Sequence, residues 1–151
     1  MTIAPRVPVL LALLLTAALA PLTCTAAYSN LVVGGAWIRQ PPPGSDVAAV
    51  YLSLLNAGTE TVTLTGVDTP VAAMAMMHET LESAGQSQMR MLASVSVAPG
   101  KSIAFTPGGR HIMLQGLAHP LQVGERVPIT LHFAEGITLH VVALVRPLSA
   151  G

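Results

Sequence analysis

Short stretches that alternate apolar and polar residues, separated by glycine and proline, dominate this chain. "AAVYLSLLNAGTETVTLTGVDTP" alternates on both sides of the turn-forming "NAGTE", and "HIMLQGL", "RVPITLHF" and "ITLHVVALV" continue the pattern. Such alternation places every second side chain on one face, as a half-buried β-strand requires. No long stretch repeats its apolar residues at the helical period. About seven or eight short strands of this kind predict an all-β chain folded as a Greek-key β-sandwich.

The N-terminal segment has a different composition from the rest. Arg6 precedes an apolar run, and small residues follow that run, which is the order of a secretory signal peptide cleaved after Ala26 or Ala27. A membrane anchor is the alternative, but the run is shorter than the roughly 20 residues that a spanning helix needs, and a proline interrupts it. We therefore assign residues 1–27 to a signal peptide and residues 28–151 to one domain, exported to the periplasm.

Cleavage at this point would remove Cys24, the only cysteine in the chain. A lipid on Cys24 is an alternative, although the preceding Pro21-Leu22-Thr23 is a poor lipidation context. The mature domain would then have no disulfide and no catalytic thiol. No basic patch suggests a nucleic-acid partner, and no further apolar run suggests stable membrane insertion. With no nucleophile, base or open hard-metal site evident, we predict that the protein is not an enzyme.

Histidine and methionine are concentrated in the middle of the chain. All six methionines after the initiator lie from Met74 to Met113, together with His78 and His111. His111 and Met113 are two residues apart, so an extended strand would present both on the same face. His78 and Met89 flank "SAGQS", the predicted turn of a hairpin whose register the sequence does not specify. Both residues can therefore lie near one end of the sandwich.

Two imidazoles and two thioethers form a particular kind of donor set. Thioether sulfur is soft and uncharged, and soft ligands of this type select Cu(I) over Zn²⁺, Mg²⁺ and Ca²⁺. A blue-copper site would need a cysteine thiolate, which the mature domain lacks. The donor set favours a Cu(I) site, in which each histidine would need a partner for its other ring nitrogen.

Packing and local hydrogen bonding are the alternatives for these residue types. A methionine in a strand most often fills the core, and four methionines fit that role: Met74, Met76, Met77 and Met91. Three histidines are interpreted as locally satisfied or exposed: His119, His132 and His140. Trp37, in "GAWIR", is most simply a core aromatic.

The spacing His78-x10-Met89-x21-His111-x-Met113 resembles that of the periplasmic copper chaperones usually called PCuAC, of DUF461 type. "GAWIRQPPPGSDVAAVYLSLLNAG", "HETLESAGQSQMRM", "PGGRHIMLQGL" and "PLQVGERVPITLHF" resemble successive segments of that family, so that nearly the whole mature chain is covered. The resemblance implies a cupredoxin-like β-sandwich whose four motif residues bind one Cu(I) per chain. It also implies delivery of that copper toward the CuA centre of cytochrome c oxidase.

The resemblance further implies two kinds of partner, the copper-bearing subunit of cytochrome c oxidase and thiol-containing copper assembly factors. Some members carry a C-terminal tail rich in histidine and methionine for a second copper, whereas this chain ends "ALVRPLSAG", so we expect one copper. Arg90 and Arg110 each adjoin a predicted ligand, and strand alternation predicts that both point away from it, toward a docking partner.

Two other functions stay open at this stage. One is a periplasmic copper storage or detoxification protein, which would hold the metal instead of passing it on. The other is a metal-free assembly module on an immunoglobulin-like sandwich, for which the spacing of histidine and methionine would be accidental.

Overall fold

Ten β-strands account for the regular structure of residues 30–83 and 85–149, which the computed structural model describes. They are β1 (Leu31–Arg39), β2 (Val47–Asn56), β3 (Val62–Asp68), β4 (Ala72–Ser83), β5 (Gln86–Leu92), β6 (Val95–Val97), β7 (Ser102–Phe105), β8 (Arg110–Leu117), β9 (Arg126–Phe133) and β10 (Thr138–Arg146). The all-β prediction is confirmed. The strand number exceeds the expected one because the short β6 and β7 form as separate strands.

The predicted signal peptide, with Cys24 and its cleavage site, lies outside the described residues. Within the two described ranges, no helix has the length and apolar character needed to cross a membrane.

The strands form one hydrogen-bonded sheet that folds over itself as a cupredoxin-like β-sandwich. Their order is β5-β4-β8-β2-β1-β10-β9-β3-β6, and β7 pairs with β2. The pairs are antiparallel except for β1 with β10, which are parallel. Strands distant in the chain are neighbours, as β4 and β8 are, which is typical of Greek-key sandwiches.

Alternation along β8 separates the core from the opposite face of the sheet. Ile112 and Leu114 have no exposed surface and pack in the core, where they meet residues of the other half such as Leu131. Because successive side chains of a strand point to opposite faces, His111 and Met113 project away from that core. Burial of the aliphatic residues therefore sets the side on which these two possible ligands lie.

A buried amide fixes the end of β2. Asn56 is 1% exposed, and its Nδ2 donates to the carbonyl oxygens of Glu60 at 2.7 Å and Val97 at 2.9 Å. Its Oδ1 accepts from the backbone N–H of Gly58 at 3.0 Å. The side chain thus closes the turn after β2 and joins that strand to β6, with its buried polar atoms satisfied.

Candidate metal centre

The pairing of β4, β5 and β8 brings the four predicted ligands onto one face of the sheet. His78 lies directly opposite His111 of β8, and Met113 follows two residues later on the same strand. Met89 of β5 lies opposite Thr80, which is two residues from His78. Opposed residues and residues two apart share a face. All four side chains therefore project from the side of the sheet that faces away from the core.

A glycine turn holds the start of β8 against β4. Gly108 has a φ of 77°, a left-handed conformation that glycine adopts without steric cost. The N–H of Gly109 donates to the carbonyl of Thr106 at 3.0 Å, and the N–H of Thr106 donates to the carbonyl of Arg110 at 2.8 Å. The carbonyl of Gly109 also accepts from the N–H of Thr80 at 3.2 Å. These bonds fix the turn relative to both strands.

The same carbonyl orients His111. The Nδ1 atom of His111 lies 3.1 Å from the carbonyl oxygen of Gly109. A carbonyl oxygen only accepts, so Nδ1 carries the proton, which leaves Nε2 as the ring nitrogen that can bind a metal. A metal-binding histidine generally has such a partner on its other nitrogen. The sequence could not reveal this partner, because a backbone carbonyl has no residue-type signal.

His78 meets His111 edge to face, with ring centroids 5.8 Å apart and ring planes at 80°. Burial, and secondly the electrostatic effect of the neighbouring His111, lowers the pKa of His78 below its ordinary value of 6.5. His78 is therefore neutral at pH 7, the form that binds metal. Its Nδ1 is buried without a hydrogen-bond partner among the described residues, and a metal ion bonded to that nitrogen would offset the cost.

An open pocket of about 330 Å³ lies beside the ring of His111. Its lining includes three of the four predicted ligands, Met89, His111 and Met113. Met89 is 65% exposed, so its thioether is accessible from solvent. His78 does not line this pocket and reaches it only through its contact with the ring of His111. The pocket is therefore lined by two sulfurs and one imidazole, with the second imidazole against the first, and this donor set suits a soft metal ion.

The prediction that Trp37 lies in the core is wrong, since it is outside the core cluster. Its neighbours Tyr51 and Arg39 line the pocket. Trp37 lies opposite Tyr51 on the pocket side of the sheet, with ring centroids 4.6 Å apart. The guanidinium carbons of Arg39 and Arg146 lie 5.9 Å and 5.2 Å from its centroid, in cation–π geometry. The neighbouring Ile38 takes the core position with no exposed surface, so alternation turns Trp37 outward.

Of the four methionines assigned to the core, Met77 alone occupies it, at 4% exposure. The assignment is wrong for the others, since Met74 is 52% exposed, Met91 is 65% exposed and Met76 is only half-buried. Met77 faces inward along β4, so Met74 and Met76 fall on the outer face with His78. Met91 lies directly opposite His78 on β5 and shares that face.

The remaining histidines have local partners, as the sequence predicted. These are Glu125 for His119 at 2.9 Å, Asp68 for His132 at 2.7 Å, and Thr130 for His140 at 3.2 Å. No group of three or more His, Cys, Asp or Glu side chains that could hold a metal occurs in the part of the chain that the structure describes. A hard-metal site thus has no support there, whereas a site of histidine and methionine does.

Arg90 and Arg110 point away from the ligand face, which confirms the prediction from alternation. Both form ion pairs with Glu79, at 2.8 Å and 3.2 Å. Glu79 lies between them on β4, next to His78 in sequence and on the opposite face. These charges therefore stabilise the three-strand register without contacting the proposed ligands.

Comparisons with known proteins bear on this site and fold. The family model "Putative lipoprotein LpqE-like" matches residues 31–145, which is most of the chain. The chain belongs to the LpqE-like family. Among curated proteins, "Putative lipoprotein Lxx21020" of Leifsonia xyli subsp. xyli is 32% identical over 118 residues, or 78% of this LpqE-like chain and 70% of that protein.

Solved structures place the LpqE-like chain with the PCuAC fold, which confirms the resemblance drawn from the sequence. The Cu(I) form of DR1885 from Deinococcus radiodurans is 36% identical, with a TM-score of 0.63 and coverage of 76% of each chain. Apo-DR1885 is 31% identical, with a TM-score of 0.63 and coverage of 97% of this chain and 95% of that one. The copper-bound PCuAC domain of PmoF2 is 21% identical, with a TM-score of 0.68 and coverage of 80% and 96%.

Proposed function

We propose that this LpqE-like protein is a periplasmic Cu(I) chaperone that holds one copper ion through His78, Met89, His111 and Met113. The observation that carries the proposal is the strand register, which collects two imidazoles and two thioethers on one face beside an open pocket. Support also comes from DR1885, a relative whose structure was solved with Cu(I). No residue of the site acts as a nucleophile or base in this proposal, so the function is binding and transfer.

The donor chemistry suits a carrier better than a store. Four neutral ligands give Cu(I) no compensating negative charge, so a site with deprotonated cysteines would bind it more tightly. Metal would therefore pass downhill from this protein to a thiolate site, such as the CuA centre of cytochrome c oxidase or a thiol-containing assembly factor. The exposure of Met89 supports direct handover, because an incoming ligand can reach the metal from the pocket.

Export to the cell envelope is part of the proposal. It is supported by the signal-like residues 1–27 and by the lipoprotein wording in the names of the family and of its relative. Two forms of the mature N-terminus are then possible, a free chain cleaved after Ala26 or Ala27 and a chain that begins at a lipid-modified Cys24. The free form would diffuse through the periplasm, and the lipid-modified form would work at a membrane surface.

Anaerobic titration of the mature protein tests the binding site. One equivalent of Cu(I) should bind in the presence of excess Zn²⁺, and X-ray absorption should show nitrogen and sulfur neighbours. Preferential Zn²⁺ binding, or a Cu(I) spectrum without a sulfur shell, would reject the site.

Transfer to a reduced dithiol protein separates a chaperone from a store. Most of the copper should move to an equimolar acceptor at equilibrium, at a rate that rises with acceptor concentration because a shared-ligand intermediate forms. Copper that stays on this protein would instead support the storage function.

A further inference from the structure

The ligand face does not end at the four proposed ligands. Met91 lies directly opposite His78, where the Cβ atoms of paired residues are about 4.5–5.5 Å apart. Met76 is two residues from His78 on the same strand and lies opposite Met113. His78 is therefore flanked by two thioethers beyond the proposed site, and neither is in the core cluster.

A second cavity adjoins these two methionines. It measures about 170 Å³ and its lining includes Met76, Met77 and Met91. Met91 and Leu92 are the last residues of β5, which is the terminal strand in the sheet order. The cavity therefore lies beside the end of an edge strand, next to Val67 of β3, and His78 does not line it. The relation of Met76 and Met91 to His78 comes from the strand register alone. The cavity is separate from the first pocket, since the two share no lining residue.

We propose that Met76 and Met91, together with His78, form an auxiliary site for Cu(I) through which the ion exchanges with the proposed four-ligand site. This inference rests on the proposed function. Two thioethers and one imidazole are a soft, neutral donor set that accepts Cu(I) and rejects hard cations. Methionine has three rotatable bonds, so both sulfurs can converge on one ion across a diagonal Cβ separation of about 7–8 Å.

The exchange is a ligand substitution that keeps copper as Cu(I). While His78 stays bound, a bond from Cu(I) to the sulfur of Met91 or Met76 forms as a bond to Met89 or Met113 breaks. No electron or proton is transferred, and every intermediate keeps at least one nitrogen and one sulfur ligand. Since His78 is shared, the two sites hold one ion in turn, and the equilibrium stoichiometry stays at one.

Methionine-methyl NMR with Ag(I), a redox-inert soft cation, tests the site in a Met89→Leu/Met113→Leu protein. This background removes both sulfurs of the four-ligand site while retaining apolar bulk. Ag(I) should still bind and should shift the methyl signals of Met76 and Met91. Adding Met76→Leu and Met91→Leu should weaken the remaining binding at least tenfold. Met74 is the matched control, because it is an exposed methionine of the same face that lies opposite Gln115 and not beside a histidine.

Two results would overturn the auxiliary site: methyl signals of Met76 and Met91 that do not move in that background, or a Met74 signal that moves as far as theirs. In the otherwise unmodified chain, Met76→Leu/Met91→Leu should slow Cu(I) transfer to a chelator several-fold, whereas Met74→Leu should not. Failure of the proposed function is distinguishable, since the unmodified chain would then bind no stoichiometric Ag(I) at Met89 and Met113.

Discussion

Met89 and Met91 provide a matched pair for testing which methionine of β5 binds copper. Both lie on the same strand and face, and each is 65% exposed. They differ in register, because Met91 lies opposite His78 whereas Met89 lies opposite Thr80. Only Met89 lines the pocket that also contains His111. We expect Met89→Leu to weaken equilibrium Cu(I) binding, and Met91→Leu to leave it nearly unchanged.

The magnitude follows from exposure and coordination. Replacing a mostly exposed methionine by leucine should change the free energy of unfolding by less than about 0.5 kcal/mol, so a loss of affinity can be attributed to the sulfur. Removing a group that only supports a metal ligand costs about 10–100-fold in affinity. Loss of a ligand itself should cost at least as much, or about 1.4–2.7 kcal/mol or more.

Competition with a Cu(I)-specific chromophoric chelator under anaerobic conditions measures both variants, and thermal unfolding of the apo proteins serves as the control. Equal affinity losses for the two variants would contradict the assignment by pocket lining. A larger loss for Met91→Leu would show that the residue opposite His78 is the ligand, and would refute the four-residue site as proposed.

Three further predictions concern His78, Asn56 and the N-terminus. Because the pKa of His78 is lowered below 6.5, protons should compete with Cu(I) at this residue only as the pH falls below about 6.5. Isothermal titration from about pH 7.5 to about pH 5 should therefore show that Cu(I) affinity decreases toward acid. An affinity that stays constant over this range would exclude histidine ligands. Asn56→Ala removes three hydrogen bonds, one of them buried and two partly buried. It should cost about 2–4 kcal/mol in urea unfolding, with Cu(I) affinity per folded molecule unchanged. Mass spectrometry of the exported protein should find a free N-terminus after Ala26 or Ala27, whereas a lipid on Cys24 would refute that cleavage.

The face on which the ligands lie could be predicted only in part from the sequence. The two-residue step from His111 to Met113 implies one shared face, since a strand has a side-chain period of two. Which face is buried depends on the other sheet half, which takes up Ile112 and Leu114. The same limit explains the error at Trp37, because "AWIR" alternates equally well in either orientation and tertiary packing selected Ile38 for the core.

The sequence by itself determined the all-β class, the donor types and the spacing of the motif, because these depend on local periodicity and residue chemistry. Only the tertiary structure decided the pairing of His78 with His111, the diagonal position of Met89 and the carbonyl of Gly109 that orients an imidazole. It also placed Met76 and Met91 outside the core. Strand register depends on hydrogen bonds between segments distant in the chain. Local sequence patterns therefore do not specify which residue of one strand pairs with which residue of the next.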